Sequence, residues 1–144
     1  MLEPRPGLVL RYDFLWKDER AAGQLHGRKD RPCAIVVVAG EKPDGSRDVV
    51  LCPVTHSPPG PGETAVPVPL AVARHLGLDD APCWIKTDQV NVLHWEKGLI
   101  PHGVMPARKD AWAYGMIPQA LGKQVFDQLR EKARAGRLAS VRRE

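Results

Sequence analysis

Apolar, β-branched runs alternate with turn-forming segments along most of this chain. The runs Ile35 to Val38 and Val49 to Leu51 are typical of strands. Between them, Pro43-Asp44-Gly45-Ser46 supplies a turn, because proline presets φ and glycine accepts a positive φ. The pattern therefore predicts a β-hairpin centred on Asp44-Gly45.

Other segments predict further short strands around this hairpin and two helices. The predicted strands cover residues 7–16, 64–68, 83–86 and 89–95. A short helix begins at Pro69 and ends at Gly77, and Pro118 opens a final helix with one apolar stripe. Residues 17–30 form a long charged connection, which is unusual for a compact domain and often functional. The fold class predicted is mainly β (α+β), a small SH3-like β-barrel with a short helix and a C-terminal helix.

Length and composition agree with a single domain rich in turns. The chain has 144 residues, of which 14 are proline and 13 are glycine, and this favours short strands over a helical bundle. The net charge of +4 arises entirely from residues 130–144, which hold six basic and two acidic side chains. Because a basic tail is common without nucleic-acid binding, this charge says little about partners. We expect a barrel domain over 1–136 and a frayed basic tail over 137–144.

Hydropathy and cysteine content predict where the protein is located and whether it carries disulfides or a metal site. No apolar run is long enough for a bilayer-spanning helix, and the N-terminus lacks the apolar segment of a signal peptide. We therefore expect a cytoplasmic protein without membrane contact. Cys33, Cys52 and Cys83 are an odd count without C-x-x-C spacing. They are predicted to be small buried hydrophobes, so neither a disulfide framework nor a metal site is expected.

Polar groups cluster at one end of the predicted hairpin. Counting back from the turn brings Arg31 opposite the stretch from Thr55 to Pro58. A permanent cation would then lie beside the hydroxyls of Thr55 and Ser57 and the imidazole of His56. This combination predicts a site that grips and cleaves a phosphodiester. The structural alternative is that Arg31 is a solvated strand start and Thr55 an ordinary β-branched strand residue.

The order of these segments resembles the PemK/MazF family, the toxins of type II toxin–antitoxin pairs. The resemblance runs from Gly7 to Leu129 and rests on three short motifs in order. They are an R-P-x-x-[VI]-V strand at 31–36, a P-[VIL]-T strand end at 53–55 and a D-Q-[VI] strand at 88–90. The family implies an SH3-like barrel that forms a homodimer, and a metal-independent endoribonuclease without a cofactor. It also implies a cognate antitoxin protein that neutralises the enzyme.

The resemblance also implies roles for individual residues. The family's strand arginine corresponds to Arg31, its hydroxyl residue to Thr55, and its R-x-D-Q segment to residues 86–89. Asp88 is then the expected base, with Lys86 or His56 as the acid or a second clamp. An alternative is that Asp88 and Gln89 only form a hairpin turn.

Expected contacts to the substrate come from two further regions. His56 and Ser57 follow Thr55 directly, and Gln89 ends the R-x-D-Q segment. In the long connection, many members read G-x-E where this chain reads Gly23-Gln24-Leu25, so an acidic residue is missing, and Gln24 and His26 are the expected contacts. These five side chains are the predicted substrate-binding residues.

The leading hypothesis is cleavage of single-stranded mRNA by attack of the 2′-hydroxyl, giving a 2′,3′-cyclic phosphate and a 5′-hydroxyl. One alternative is a non-catalytic SH3-like barrel that binds RNA or a protein partner. Another is a toxin that poisons a protein target such as a topoisomerase. Lys86 in place of arginine, and the acidic residue that is missing from the long connection, keep these alternatives open.

Overall fold

The computed structural model describes residues 2–143. Within that range the strands are β1 (Leu8–Tyr12), β2 (Arg31–Val38), β3 (Arg47–Thr55), β4 (Ala65–Pro67), β5 (Trp84–Lys86), β6 (Gln89–Trp95), β7 (Val104–Met105), β8 (Ala113–Met116) and β9 (Ala139–Arg142). The helices are α1 (Lys17–Ala21), α2 (Leu70–His75) and α3 (Gln119–Arg134). The protein is therefore mainly β, with a largely antiparallel sheet and a few helices, as predicted.

The predicted β2–β3 hairpin is confirmed. The two strands pair antiparallel, with Cys33 opposite Pro53. Asp44 Oδ1 closes the turn, accepting hydrogen bonds from the Ser46 N–H at 2.9 Å and from the Ser46 hydroxyl at 2.6 Å. Gly45 has φ of +86°, a conformation that glycine adopts without strain. Turn chemistry and β-branched runs thus produce this hairpin locally.

β3 is the branch point of the sheet. The first half of β3 pairs with β6 and its second half with β5, while β2 lies along its other side. The strand order β4-β5-β3-β2-β1-β7 ends at edge strands, so within residues 2–143 the pairings do not close into a ring. Cys33 and Ile35 enter one apolar core and Ala34 enters the other, on the opposite face. Because both faces are covered, β2 and β3 are almost continuously apolar.

α3 follows its predicted apolar stripe. Leu121, Val125 and Leu129 are buried against the sheet, whereas Ala133, the last predicted member of the stripe, is exposed. Each buried aliphatic side chain stabilises the fold by about 1.5–3 kcal/mol. No helix in the described part of the chain has both the length and the apolar character needed to cross a bilayer.

The first strand is shorter than predicted. β1 ends at Tyr12, where the Phe14 N–H donates to the Tyr12 carbonyl and turns the chain away from the sheet. The long connection that follows contains α1. The N–H of Trp16, just before this helix, donates to Glu19 Oε1 at 3.0 Å. A carboxylate in the first turn also suits the positive end of the helix. The apolar residues up to Trp16 therefore belong to a turn, not to a strand.

The predicted frayed tail instead contains an ordered strand. β9 pairs in parallel with β6, and Val141 is buried. Arg143 is also buried, and its guanidinium contacts both carboxylate oxygens of Asp13 at 3.1 Å. The tail is ordered because one of its basic side chains meets a carboxylate that is 130 residues away along the chain. A count of charges contains no sign of this pairing.

Candidate functional site

Two neighbouring cavities open at the end of β2, and both are lined by Lys29 and Arg31. The first cavity has a volume of about 480 Å³ and is also lined by Thr55, His56 and Ser57. The second has a volume of about 650 Å³ and is lined by Trp16, Glu63, Lys86 and Gln89, among others. Volumes of this order are usual for small-ligand sites. Lys29 and Arg31 therefore stand at the boundary between two spaces that are each large enough for a nucleotide.

The strand register brings Arg31 next to Thr55. Because Cys33 lies opposite Pro53, Arg31 is level with Thr55 two residues further along the antiparallel pair. Residues that face each other across such a pair project from the same face of the sheet. Both also line the first cavity. Thr55 is the first residue of the stretch predicted by counting from the hairpin turn, and the pair of strands contains a register shift between Ile35 and Val37.

The Arg31 guanidinium is held in place but has no anion beside it. Its central carbon lies 4.9 Å from the ring centre of Trp16, within the range of a cation–π contact. Its Nε is buried and has no hydrogen-bond partner among residues 2–143. None of the ion pairs between described residues includes Arg31. A buried donor without a partner costs about 1–3 kcal/mol.

The position of Trp16 is fixed by hydrogen bonds to the backbone of the residues before and after it. The Leu15 N–H donates to Asn91 Oδ1 at 2.9 Å, and Asn91 Nδ2 donates to the Leu15 carbonyl at 2.8 Å. The Lys17 N–H donates to Gln89 Oε1 at 3.0 Å. Asn91 is completely buried. Two polar side chains of β6 therefore hold the segment that carries the Trp16 ring, and Gln89 serves this purpose as well as lining the second cavity.

Lys86 and Asp88 are close together but largely covered. Lys86 Nζ lies 3.3 Å from Glu63 Oε2 and 3.8 Å from Asp88 Oδ1. Asp88 Oδ1 accepts no hydrogen bond from any residue in 2–143, so its contact with Lys86 is purely electrostatic. The Asp88 side chain is 11% exposed and lines neither cavity. Lys86 and Arg31 therefore line the same cavity, whereas Asp88 does not line it.

Glu63 is a site residue that the sequence analysis missed. It lies in the Pro/Gly-rich loop before β4, and its side chain is 41% exposed. Its Oε1 accepts a hydrogen bond from the Gly60 N–H at 2.8 Å. This bond, followed by the contact with Lys86, holds the pKa of Glu63 below its usual range. A lone acid in a loop predicted to be irregular gave no signal, because Lys86 lies 23 residues further along the chain.

The segment after Thr55 presents an imidazole and a hydroxyl to the first cavity. His56 Nδ1 lies 2.9 Å from the Pro82 carbonyl, and its Nε2 lies 3.0 Å from Asp79 Oδ2. Since both partners are acceptors, the doubly protonated imidazolium satisfies both contacts. The Ser57 N–H donates to Thr55 Oγ1 at 3.1 Å, which leaves the Thr55 hydroxyl proton available for a ligand. These predicted residues are brought together with Arg31.

Gln24 and His26 lie elsewhere. Neither lines the two cavities. His26 Nδ1 lies 3.3 Å from Asp13 Oδ2, and its ring packs edge-on against His102 at 5.7 Å. From the same long connection it is Lys29 that reaches both cavities. The connection therefore lines both cavities through Lys29, and not through Gln24 or His26.

The three cysteines lie in the apolar cores and outside the chemistry of the cavities, apart from the wall that Cys83 provides. Burial raises the pKa of all three thiols. They therefore remain protonated at neutral pH. Within residues 2–143, no three His, Cys, Asp or Glu side chains are arranged to hold a metal ion.

Comparisons with models of protein families, with characterised proteins and with solved structures found no match for this chain.

Proposed function

We propose that this protein is a PemK/MazF-like endoribonuclease that cleaves single-stranded RNA without a metal ion. The observation that carries the proposal is the Arg31 guanidinium, which lacks a protein anion and stands between two cavities, level with the Thr55 hydroxyl. A guanidinium can fork onto two phosphate oxygens, and it remains charged at any physiological pH. Lys29 adds a second cation at the same boundary. The pair suits a phosphodiester with a nucleotide on each side.

Cleavage in this proposal follows from the charge that develops on the phosphate. The 2′-oxygen attacks phosphorus, the bond to the 5′-oxygen breaks, and a 2′,3′-cyclic phosphate and a 5′-hydroxyl result. Arg31 stabilises the extra negative charge in the transition state, and Thr55 donates a hydrogen bond to a non-bridging oxygen. His56 lines the same cavity and is exposed, so it is the proposed acid for the leaving oxygen. In this proposal the proton on Nε2, which otherwise contacts the exposed Asp79 Oδ2, passes to the leaving oxygen when RNA is bound.

The proposal includes the partners and the fold that the family implies. These are an SH3-like barrel with an open seam, a homodimer, a cognate antitoxin and a cytoplasmic location. Large apolar side chains on the surface support an interface with a second copy. Examples are Met105, Trp112, Met116 and Phe126, each about two-fifths exposed. Among the tryptophans, Trp95 is buried in the core and Trp112 is the most exposed.

The proposed activity is tested by incubating the purified chain with a long single-stranded RNA in EDTA. We expect discrete cuts whose downstream fragments accept phosphate directly from polynucleotide kinase, because their 5′ ends are hydroxyls. Replacing the nucleotide before each cut by its 2′-deoxy form should stop cleavage there, since the nucleophile is then missing. Cuts with 5′-phosphate ends, or cuts that persist without the 2′-hydroxyl, would rule out this mechanism.

A non-catalytic RNA- or protein-binding role is the second candidate. It is favoured by the pairing of Lys86 with two carboxylates and by the limited exposure of Asp88. RNA that stays intact but binds the chain, with loss of binding on Arg31→Ala, would select this role. Growth arrest with intact cellular RNA would point instead to a protein target such as a topoisomerase.

Trp16 provides a separate prediction about affinity. A cation–π contact contributes about 0.5–2 kcal/mol, so we expect Trp16→Leu to weaken RNA binding by about 2- to 30-fold. Trp16→Phe, which keeps a smaller π face, should weaken it less. Fluorescence anisotropy with a 2′-deoxy-substituted, uncleavable RNA measures both, and Leu99→Ala, at an exposed position that lines neither cavity, is the control. Equal affinities for the Leu and Phe variants would show that the ring does not act through its π face.

A further inference from the structure

The reaction proposed above lacks a base that can reach the substrate. A general base must come within hydrogen-bonding distance of the 2′-hydroxyl, directly or through one water. The carboxylate of Asp88, the residue expected from the family motif, is 11% exposed and lines neither cavity. Its charge faces Lys86 at 3.8 Å. A substrate held by Arg31 therefore needs another carboxylate.

Among the described residues, three carboxylates line the second cavity, and two of them are engaged in α1. Glu19 is 3% exposed on its side chain, accepts the Trp16 N–H and pairs with Arg28. Asp18 accepts the backbone N–H of Glu19 within the same helix. Glu63 remains, with 41% of its side chain exposed at the rim of the cavity.

The carboxylates of the first cavity are also engaged. Asp30 pairs with Arg11 at 3.3 Å, and Asp79 bonds the His56 ring at 3.0 Å. Asp79 is 64% exposed, but it contacts His56, the proposed acid. Glu63 shares a cavity with Arg31, is partly exposed, and contacts neither His56 nor the backbone of α1.

We propose that Glu63 is the general base that removes the 2′-hydroxyl proton. This inference rests on the proposed function and names a catalytic residue outside the motifs of the sequence analysis. The carboxylate is oriented by two donors: the Gly60 N–H at 2.8 Å on Oε1 and Lys86 Nζ at 3.3 Å on Oε2. Both donors keep the carboxylate ionised at neutral pH. Lys86, held in turn by Asp88, is then a positioning residue for Glu63.

The proposed base and acid line different cavities that share the Arg31 clamp. Glu63 lines the second cavity, His56 lines the first, and Arg31 lines both. In-line displacement places the attacking 2′-oxygen and the leaving 5′-oxygen on opposite sides of phosphorus. In this proposal a phosphate bound by Arg31 has one neighbouring nucleotide in each cavity, with the proton acceptor on one side and the proton donor on the other.

The proposed step balances within the protein and the RNA. The 2′-hydroxyl proton passes to a Glu63 oxygen as the 2′-oxygen bonds to phosphorus. The phosphorus–5′-oxygen bond breaks, and its electron pair takes a proton from the His56 imidazolium. The products are a 2′,3′-cyclic phosphate and a 5′-hydroxyl, with no water consumed. Glu63 ends protonated and His56 neutral, and exchange with solvent restores both.

The first arm of the test compares Glu63→Gln with the unaltered chain. The amide keeps the shape but cannot take the proton, so we expect cleavage to fall by about 10²- to 10⁴-fold. Affinity for uncleavable RNA should be unchanged or higher, because a negative charge has been removed. Glu41→Gln, an exposed change in the β2–β3 turn, is the matched control and should retain full activity. Thermal unfolding of each variant checks the fold.

The second arm separates a base from an acid. An RNA with sulfur in place of the 5′-bridging oxygen has a leaving group that departs without a proton. We expect this substrate to restore cleavage to His56→Ala but not to Glu63→Gln.

Two outcomes would overturn the assignment of Glu63: near-normal cleavage by Glu63→Gln, or restoration of its cleavage by the sulfur substrate. An unaltered chain that cleaves neither substrate would instead refute the proposed function, and the assignment of Glu63 with it.

Discussion

An Arg31→Ala variant is expected to lose RNA cleavage by about 10²- to 10³-fold while remaining as stable as the unaltered protein. We expect this loss because removing one hydrogen-bond donor that stabilises the negative charge of a transition state typically lowers the rate by about that factor. Stability is retained because two effects oppose each other. The variant loses the cation–π contact with Trp16, but it also removes a buried Nε that has no partner in residues 2–143.

The measurement pairs single-turnover cleavage with urea unfolding. Arg31→Lys keeps the charge but not the fork, so its rate should fall between those of the alanine variant and the unaltered chain. Arg47→Ala is the control, because Arg47 begins β3 at the other end of the hairpin and lines neither cavity. Full activity in Arg31→Ala would remove the basis of the proposed function. A large loss of stability would mean that Arg31 is a structural residue.

The second large effect concerns stability and the C-terminal strand. Arg143→Ala should lower the free energy of unfolding by about 3–5 kcal/mol, because it leaves a largely buried carboxylate without its partner. The Arg143 side chain is 7% exposed and that of Asp13 is 14% exposed. The same guanidinium donates to Asn91 Oδ1 at 3.0 Å and to the Leu25 carbonyl at 3.3 Å. Its loss therefore also loosens the long connection.

The neighbouring residue provides the control for this prediction. Arg142 is 60% exposed and pairs with Asp48 at the surface, where such a pair is worth at most about 1 kcal/mol. Urea unfolding of Arg142→Ala should therefore give nearly the original midpoint. If Arg143→Ala and Arg142→Ala have the same urea midpoint, the buried contact between Arg143 and Asp13 does not stabilise the fold. The total free energy of unfolding of a domain of this kind is about 5–15 kcal/mol, so the predicted difference between the two variants is easily measured.

Sequence reasoning succeeded where the determining interactions are local. The hairpin depends on Asp44 and Gly45, which lie within the turn itself, and on the β-branched runs beside them. Counting from this turn brings Arg31 opposite the stretch that begins at Thr55, and a register shift between Ile35 and Val37 helps to decide which residue of that stretch lies level with it. The stripe of α3 likewise follows from spacing within one helix. In each case the residues that decide the structure are neighbours in the chain or in one hairpin.

Sequence reasoning failed where partners are distant along the chain. The strand predicted through Trp16 ends at Tyr12, and the segment beyond it is held off the strand path by the bond from the Leu15 N–H to the side chain of Asn91, 76 residues away. The predicted frayed tail is ordered because Arg143 meets Asp13. Charge and hydropathy describe each of these residues alone, and neither property identifies a partner.

By itself, the sequence determined the turn-rich, mainly β character of this protein, the hairpin and the cation that begins β2. Only the tertiary structure decided which groups surround that cation. Trp16 beneath Arg31, Glu63 beside Lys86 and the covered position of Asp88 all depend on how loops fold over the sheet. The physical reason is that local backbone preferences act over a few residues. The pairing of buried charges, by contrast, depends on which side chains the completed core removes from water together.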